Sequence, residues 1–212
     1  MTLGSSVVCV CVFFEYECHA LGEEKTRNKL TYILCVNSLS TSFFSLSLLQ
    51  LMWDSETLRH SQELTGHTYA IKCCAVDPVR AAWIVSSGDD SKLLVHSTAE
   101  SKECMVEIEG AGGDYNESIN CCDISSDGRV LACGLANKRI ALWDTRMWKL
   151  LQKLDGHASS VEDLCFVPGF GQEKLVSVDG RGLKSWSCES HDWTCTHTVK
   201  AHAIACCRMA LY

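Results

Sequence analysis

Arg139-Ile-Ala-Leu-Trp-Asp-Thr-Arg146, continued by Met147-Trp-Lys-Leu-Leu151 and Gln152-Lys-Leu-Asp-Gly-His157, is the stretch from which the rest of the chain can be read. Ile140 and Leu142 alternate with Arg139 and Ala141 up to Trp143, the period-2 pattern of a strand with one face buried. Asp144 and Thr145 carry short polar side chains that bond back to their own backbone, so they turn the chain. Trp148, Leu150 and Leu151 open a second strand, and Gly156 ends it. Two landmarks result: Trp-Asp at a strand end, and Gly-His after the following strand.

Both landmarks recur. Gly66-His67, Gly156-His157 and Ala201-His202 are spaced by 90 and then 45 residues, and Ala111-Gly112 stands at the midpoint of the longer interval. The strand ends repeat as Trp53-Asp54, His96-Ser97, Trp143-Asp144 and Trp186-Ser187. The strand after Gly-His repeats as Ile71-Lys-Cys-Cys-Ala-Val76, Ile119-Asn-Cys-Cys-Asp-Ile124 and Val161-Glu-Asp-Leu-Cys-Phe166. Three independent marks therefore share one period near 45 residues. With these marks the chain resembles the WD-repeat (WD40) family.

The resemblance implies an all-β fold: an incomplete WD40 β-propeller of about three four-stranded blades, with a non-homologous N-terminal extension. The repeat region is expected at 51–212, in units of about 51–97, 98–144 and 145–187 with a partial unit at 188–212. Propellers of this family usually close with about seven blades, so the chain is expected to be a fragment or truncated isoform.

The resemblance also implies a hydrogen-bonded chain of His, Ser or Thr, Asp and Trp across each blade. Carried over by position, the first unit has His67, Ser86 and Asp90, with His96 where Trp belongs. The second keeps Trp143 alone of the chain, with Cys133 and Asn137 at the hydroxyl and carboxylate places, and Asp144 beside it as a structural residue of the repeat. The third has His157, Ser177, Asp179 and Trp186 around a shortened turn. One unit thus reads as nearly complete and two as degraded. Buried imidazole, hydroxyl and indole groups are costly unless paired, and paired they hold one strand register. These residues are expected to be structural, and no catalytic residue is assigned.

Trp143-Asp144-Thr145-Arg146 resembles the Trp-Asp-x-Arg box of propellers that serve as substrate receptors of cullin-type ubiquitin ligases. It marks Arg146 as a candidate partner contact, because an exposed guanidinium presents a planar donor fork. A ubiquitin-ligase adaptor is the partner this alternative implies.

With 212 residues, 47% of them hydrophobic and 21% charged, the composition is that of a globular chain rather than a disordered one. A net charge of −7 repels nucleic acid and anionic lipid, so neither is expected as a partner. Of the 15 cysteines, several are adjacent pairs inside apolar strands: Cys73-Cys74, Cys121-Cys122 and Cys206-Cys207. Neighbouring strand residues face opposite ways, so such pairs do not bridge each other, and free thiols acting as small core hydrophobes are expected. Cys188, His191, Cys195 and His197 have zinc-type donors, but their spacing fits no standard finger. Gly110 to Gly113 precede a strand rather than a helix, which argues against a phosphate cradle. No metal and no cofactor is expected.

Residues 1–50 lie outside the repeat. Leu30 to Trp53 is uncharged and long enough to span a bilayer, but Thr31, Asn37, Ser38, Ser40 and further polar residues dilute it, so a membrane span is not expected. Ser42-Phe-Phe-Ser-Leu-Ser-Leu-Leu-Gln50 reads like a translated polypyrimidine tract with its acceptor dinucleotide. Residues 1–50 are accordingly expected to be a poorly ordered, retained-intron segment, an idea that a continuous exon across codon 50 would end. The functional expectation is a non-catalytic protein–protein interaction scaffold, cytoplasmic or nuclear, whose partners are other proteins.

Overall fold

A computed structural model describes residues 6–12, 30–37, 48–54, 60–98, 104–109, 117–167, 173–190 and 192–200, with side chains from residue 64 onward. The described residues form strands and no helix, arranged as four four-stranded sheets. Three sheets are antiparallel meanders. The N-terminal sheet is the exception and joins β1 (Ser6–Val12), β2 (Leu30–Asn37), β3 (Leu48–Asp54) and β4 (His60–Leu64). It pairs β1 with β2 in parallel. The uncharged stretch from Leu30 to Trp53 thus contributes β2 and most of β3. No helix among the described residues is long and apolar enough to cross a membrane.

The first meander holds β5 (Ile71–Val76), β6 (Trp83–Gly88), β7 (Leu93–Ser97) and β8 (Cys104–Ile108). The second holds β9 (Ile119–Ile124), β10 (Val130–Leu135), β11 (Ile140–Asp144) and β12 (Lys149–Leu154). The third holds β13 (Val161–Val167), β14 (Lys174–Asp179), β15 (Gly182–Glu189) and β16 (Asp192–Lys200). These are the three expected blades.

The residues from Ile140 to Leu154 form β11 and β12, but burial in β11 departs from the expected half-buried alternation. Ile140, Ala141, Leu142 and Trp143 are all buried. The sheet is covered on both faces, and the alternation sorts residues between two cores. Ala141 and Trp143 join Leu131, Cys133 and Leu135 in a cluster with Cys73, Val85 and Val95 of the preceding blade. Ile140 and Leu142 join Ala132 and Cys121 in a cluster with Leu164, Leu175 and Trp186 of the following blade. Period 2 therefore survives as a choice of neighbour, because successive side chains leave a strand on opposite faces. Full burial of one such Leu contributes about 2 kcal/mol.

Polar side chains tie the blades where β5, β9 and β13 approach one another. Lys72 Nζ donates to Asn120 Oδ1 at 3.0 Å and to Ser118 Oγ at 2.8 Å, and pairs with Asp89 Oδ1 at 2.6 Å. Asn120 Nδ2 then donates to Ser160 Oγ at 2.8 Å and to the Val161 carbonyl at 3.0 Å. Farther out, Gln152 accepts from Trp193 N at 2.8 Å and donates to the Trp193 carbonyl at 3.0 Å. Packing through such pairs sets the register of one blade on the next.

Eight of the described cysteines are free thiols. Cys74 is disulfide-bonded, which corrects the expectation of free thiols at that position. Burial pushes the Cys121 and Cys133 thiols well above their usual range, so both behave as core hydrophobes.

Candidate functional site

The strand registers align the three blades residue by residue. Ile84 pairs with His96, Leu131 with Trp143 and Leu175 with Trp186, so Ser86, Cys133 and Ser177 hold equivalent places two residues farther along. These are the positions that the sequence marked as a hydrogen-bonded chain.

In the third blade all four side chains are joined. Trp186 Nε1 donates to Ser177 Oγ at 2.8 Å. The Ser177 hydroxyl lies 2.7 Å from His157 Nε2, and His157 Nδ1 faces Asp179 Oδ2 at 3.1 Å. That last approach is an electrostatic contact rather than an aligned hydrogen bond, since Nδ1 has no hydrogen-bond partner. The network assigns Nδ1–H to His157, so the Ser177 hydroxyl donates to Nε2 and its oxygen accepts from the indole. Asp179 also accepts from the backbone amides of Ala158, Ser159 and Arg181. Burial opposes its ionisation, but these amides and His157 outweigh that and hold its carboxyl at about 2. Burial also lowers the His157 pKa, against the pull of Asp179.

In the first blade the chain is one member short. His67 Nδ1 bonds Asp90 Oδ2 at 2.7 Å, and His67 Nε2 lies 2.9 Å from Ser86 Oγ. His96 occupies the tryptophan place but donates from Nε2 to the Thr65 carbonyl at 3.2 Å and makes no bond to Ser86. Burial is the main cause lowering the His96 pKa, and the His67 charge acts in the same direction. Burial disfavours the Asp90 carboxylate too, yet His67 and two backbone amides keep its pKa below the usual value.

In the second blade no chain forms. Cys133 is fully buried in the apolar cluster, and Trp143 Nε1 and Asn137 Nδ2 are buried without partners. Asp144 instead caps its turn, Oδ1 accepting from Arg146 N at 2.7 Å and Met147 N at 3.1 Å.

The glycine of each Gly-His pair has a conformational reason. Gly66 and Gly156 sit at φ 133° and 136°, a region that side chains rarely adopt, and there the chain bends so that the next imidazole points inward. Ala111-Gly112, Gly110 to Gly113 and Ala201-His202 lie outside the described residues. So does His191 of the Cys/His group, while Cys188 is half-buried and Cys195 exposed.

One repeated feature lies outside the expected pattern. Thr98 and Thr145 each stand two residues after the aromatic place. Thr98 Oγ1 donates to the Ala81 carbonyl at 2.6 Å, and Thr145 Oγ1 to the Gly128 carbonyl at 2.5 Å. Each stitches the end of β7 or β11 to the turn beside it. The shared offset of threonine from His96 and Trp143 is the signal in the sequence.

Asp123 is a further residue that spacing does not single out. It sits on β9 and accepts from Phe166 N of the next blade at 2.7 Å. Burial is the largest influence and raises its carboxyl to about 6, against the Phe166 and Ile124 amides. A folded pKa above the unfolded value of about 3.9 means the ionised group opposes folding at neutral pH, and the penalty is relieved as pH falls from about 6 to about 4. Asp123→Asn keeps an oxygen for Phe166 and is expected to raise unfolding free energy at pH 7 by about 1 kcal/mol. Below about pH 4 the gain should vanish; urea titrations at both pH values showing equal effects would refute the assignment.

The same repeat is found in known proteins. The repeat described as WD domain, G-beta repeat matches residues 58–97 and 102–144. Those residues are WD repeats. The U3 small nucleolar RNA-interacting protein 2 of Homo sapiens is 30% identical over 115 residues, covering 51% of this chain and 24% of that protein. The U3 snoRNP-associated protein-like EMB2271 of Arabidopsis thaliana is 36% identical over 108 residues, 50% of this chain and 22% of that one. The U5 small nuclear ribonucleoprotein 40 kDa protein of Pongo abelii is 31% identical over 70 residues, 33% of this chain and 20% of that one. The solved structures of U3-55K and of the RRP9 WD40 repeats both match at TM-score 0.57 and 30% identity. They match over 66% of this chain and over 42% and 41% of theirs. The chain therefore spans less than a quarter of the length of these curated relatives.

Proposed function

We propose that this chain is a non-catalytic scaffold that binds other proteins within a nuclear ribonucleoprotein assembly, residues 51–212 carrying the activity. The observation that carries the non-catalytic reading is the burial of both Ser–His–Asp sets. Ser, His and Asp in hydrogen-bond reach would suit nucleophilic catalysis. Ser86 and Ser177 are, however, 0% exposed, so no substrate carbonyl reaches either hydroxyl. The Ser177 oxygen is also occupied by the Trp186 indole. These residues act as cross-strand fasteners, and the turns are left for partners.

The ribonucleoprotein setting is supported by the relatives, whose names place them with U3 small nucleolar RNA and the U5 small nuclear ribonucleoprotein. Those names also weigh against the expected indifference to nucleic acid, and nothing in them favours the ubiquitin-ligase alternative. The decisive experiment is glycerol-gradient sedimentation of the tagged full chain from nuclear extract, with and without ribonuclease. Co-sedimentation with a large particle is expected, together with retention of protein partners after ribonuclease. A chain that stays at the top of the gradient in both conditions ends this reading.

A further inference from the structure

Turns from the first two blades meet in one ledge. Val79, in the turn after β5, lies 3.0 Å from where a Cβ on Gly128 would sit. The Gly128 carbonyl accepts the Thr145 hydroxyl, and the Arg129 carbonyl accepts the Thr145 amide at 3.0 Å. Trp83 and Trp148 meet edge-on at 5.2 Å between ring centroids, joining the same turns from below. Residues 77–80, 125–129 and 144–149 are therefore contiguous.

Val79 and Met147 are 58% and 77% exposed on this ledge. Arg80, Arg146 and Lys149 are exposed beside them. The carboxylates the described residues place there are already engaged. Asp77 is buried and accepts from the amides of Val79 and Ala82. Asp144 accepts from Arg146 N and Met147 N, Asp127 pairs with the Arg129 guanidinium at 3.5 Å, and Glu173 Oε1 accepts from Ser126 N at 2.7 Å. In a chain of net charge −7, Arg80 and Arg146 thus stand beside aliphatic surface with no carboxylate paired to them among the described residues.

We propose that this ledge docks an acidic, aliphatic segment of a partner protein, its carboxylates on Arg80 and Arg146 and its apolar side chains on Val79 and Met147. The proposal rests on the scaffold reading and names the partner's chemistry. A guanidinium fork matches a carboxylate bidentately, and flanking apolar contact excludes water from the pair. A nucleic acid strand is the poorer fit. Single-stranded binding relies on aromatic stacking, and the aromatic pair here, Trp83 with Trp148, is turned upon itself.

Fluorescence anisotropy on the full chain tests this, with a short labelled peptide of repeating Asp-Leu-Glu as the probe. Its Asn-Leu-Gln counterpart and a labelled oligouridylate serve as comparators. The acidic peptide should bind, and added salt should weaken it. Arg80→Glu with Arg146→Glu should weaken binding by about 10-fold or more, and Met147→Ser by about 3-fold. Both variants should melt like the native chain, since these side chains are exposed. Equal affinity of native and Arg80→Glu/Arg146→Glu chains, failure of the native chain to bind, or tighter binding of oligouridylate would each overturn the ledge assignment. The gradient experiment separates the two ideas: a native chain that sediments with the particle yet ignores the peptide loses the ledge and keeps the scaffold.

Discussion

Ser177→Ala is expected to lower the unfolding free energy by about 3 kcal/mol, while Ser86→Ala at the equivalent place costs about half as much. The two serines differ in what they serve. Ser177 Oγ meets both His157 Nε2 and Trp186 Nε1, and its removal strands two buried groups. Ser86 Oγ meets His67 Nε2 alone, because His96 bonds the Thr65 carbonyl instead. A buried polar atom left without a partner costs about 1–3 kcal/mol, and the count of stranded atoms sets the ratio. Chemical denaturation of the two variants checks it. Equal losses, or a larger loss at Ser86, would show that the Trp186–Ser177 bond contributes nothing of its own. The same fasteners predict acid sensitivity. Asp179 supplies its stability above the ordinary carboxylate range and loses it as pH falls toward about 2. His96 and His157, with lowered pKa values, weaken the fold as pH falls below about 6.5, where only the unfolded chain takes up their protons.

Gly88→Ala is expected to be as damaging, at about 3 kcal/mol, by a steric rather than a polar route. A Cβ on Gly88 would be built into the Ala70 carbonyl oxygen and would lie 2.9 Å from Ala70 C and Ile71 Cα. These are backbone atoms at the start of β5, and that carbonyl already accepts Asp89 N at 2.9 Å. Nothing there can swing aside as a side chain would. Relief requires parting β5 from β6, whose register passes through Ile71 and Gly88. Gly180→Ala is the control, since its nearest neighbours are side-chain oxygens at 3.4 and 3.6 Å. Thermal melts should separate the two by about 6–12 °C, on the scale of about 2–4 °C per kcal/mol for a chain of this size. A Gly88→Ala chain that melts with the native protein would mean the strand pair is looser than its geometry implies.

Much of this is legible in the order of the amino acids. The period near 45 residues predicts three meander sheets, and β5 through β16 follow the apolar runs that mark them. His67 with Ser86 and Asp90, and His157 with Ser177, Asp179 and Trp186, are named by the resemblance to WD repeats and are brought together across strands. Other features leave no periodic trace. His96 fills the aromatic place yet bonds elsewhere, because what an imidazole reaches depends on the loop above it. Lys72, Asn120 and Ser160 look unremarkable singly and form an inter-blade chain only when β5, β9 and β13 stand side by side.

From Ile71 onward, local sequence alone determined which segments form strands, where they turn, and which polar groups recur, since these depend on residue type and on spacing along one chain. The tertiary structure decided that Ile140 to Trp143 are buried on both faces, that Asp123 is desolvated toward a pKa of about 6, and that Val79, Arg80, Arg146 and Met147 share a ledge. Those properties arise from contact between blades. Which face of a sheet meets a neighbour, and which charge loses its water, is settled by residues tens of positions away.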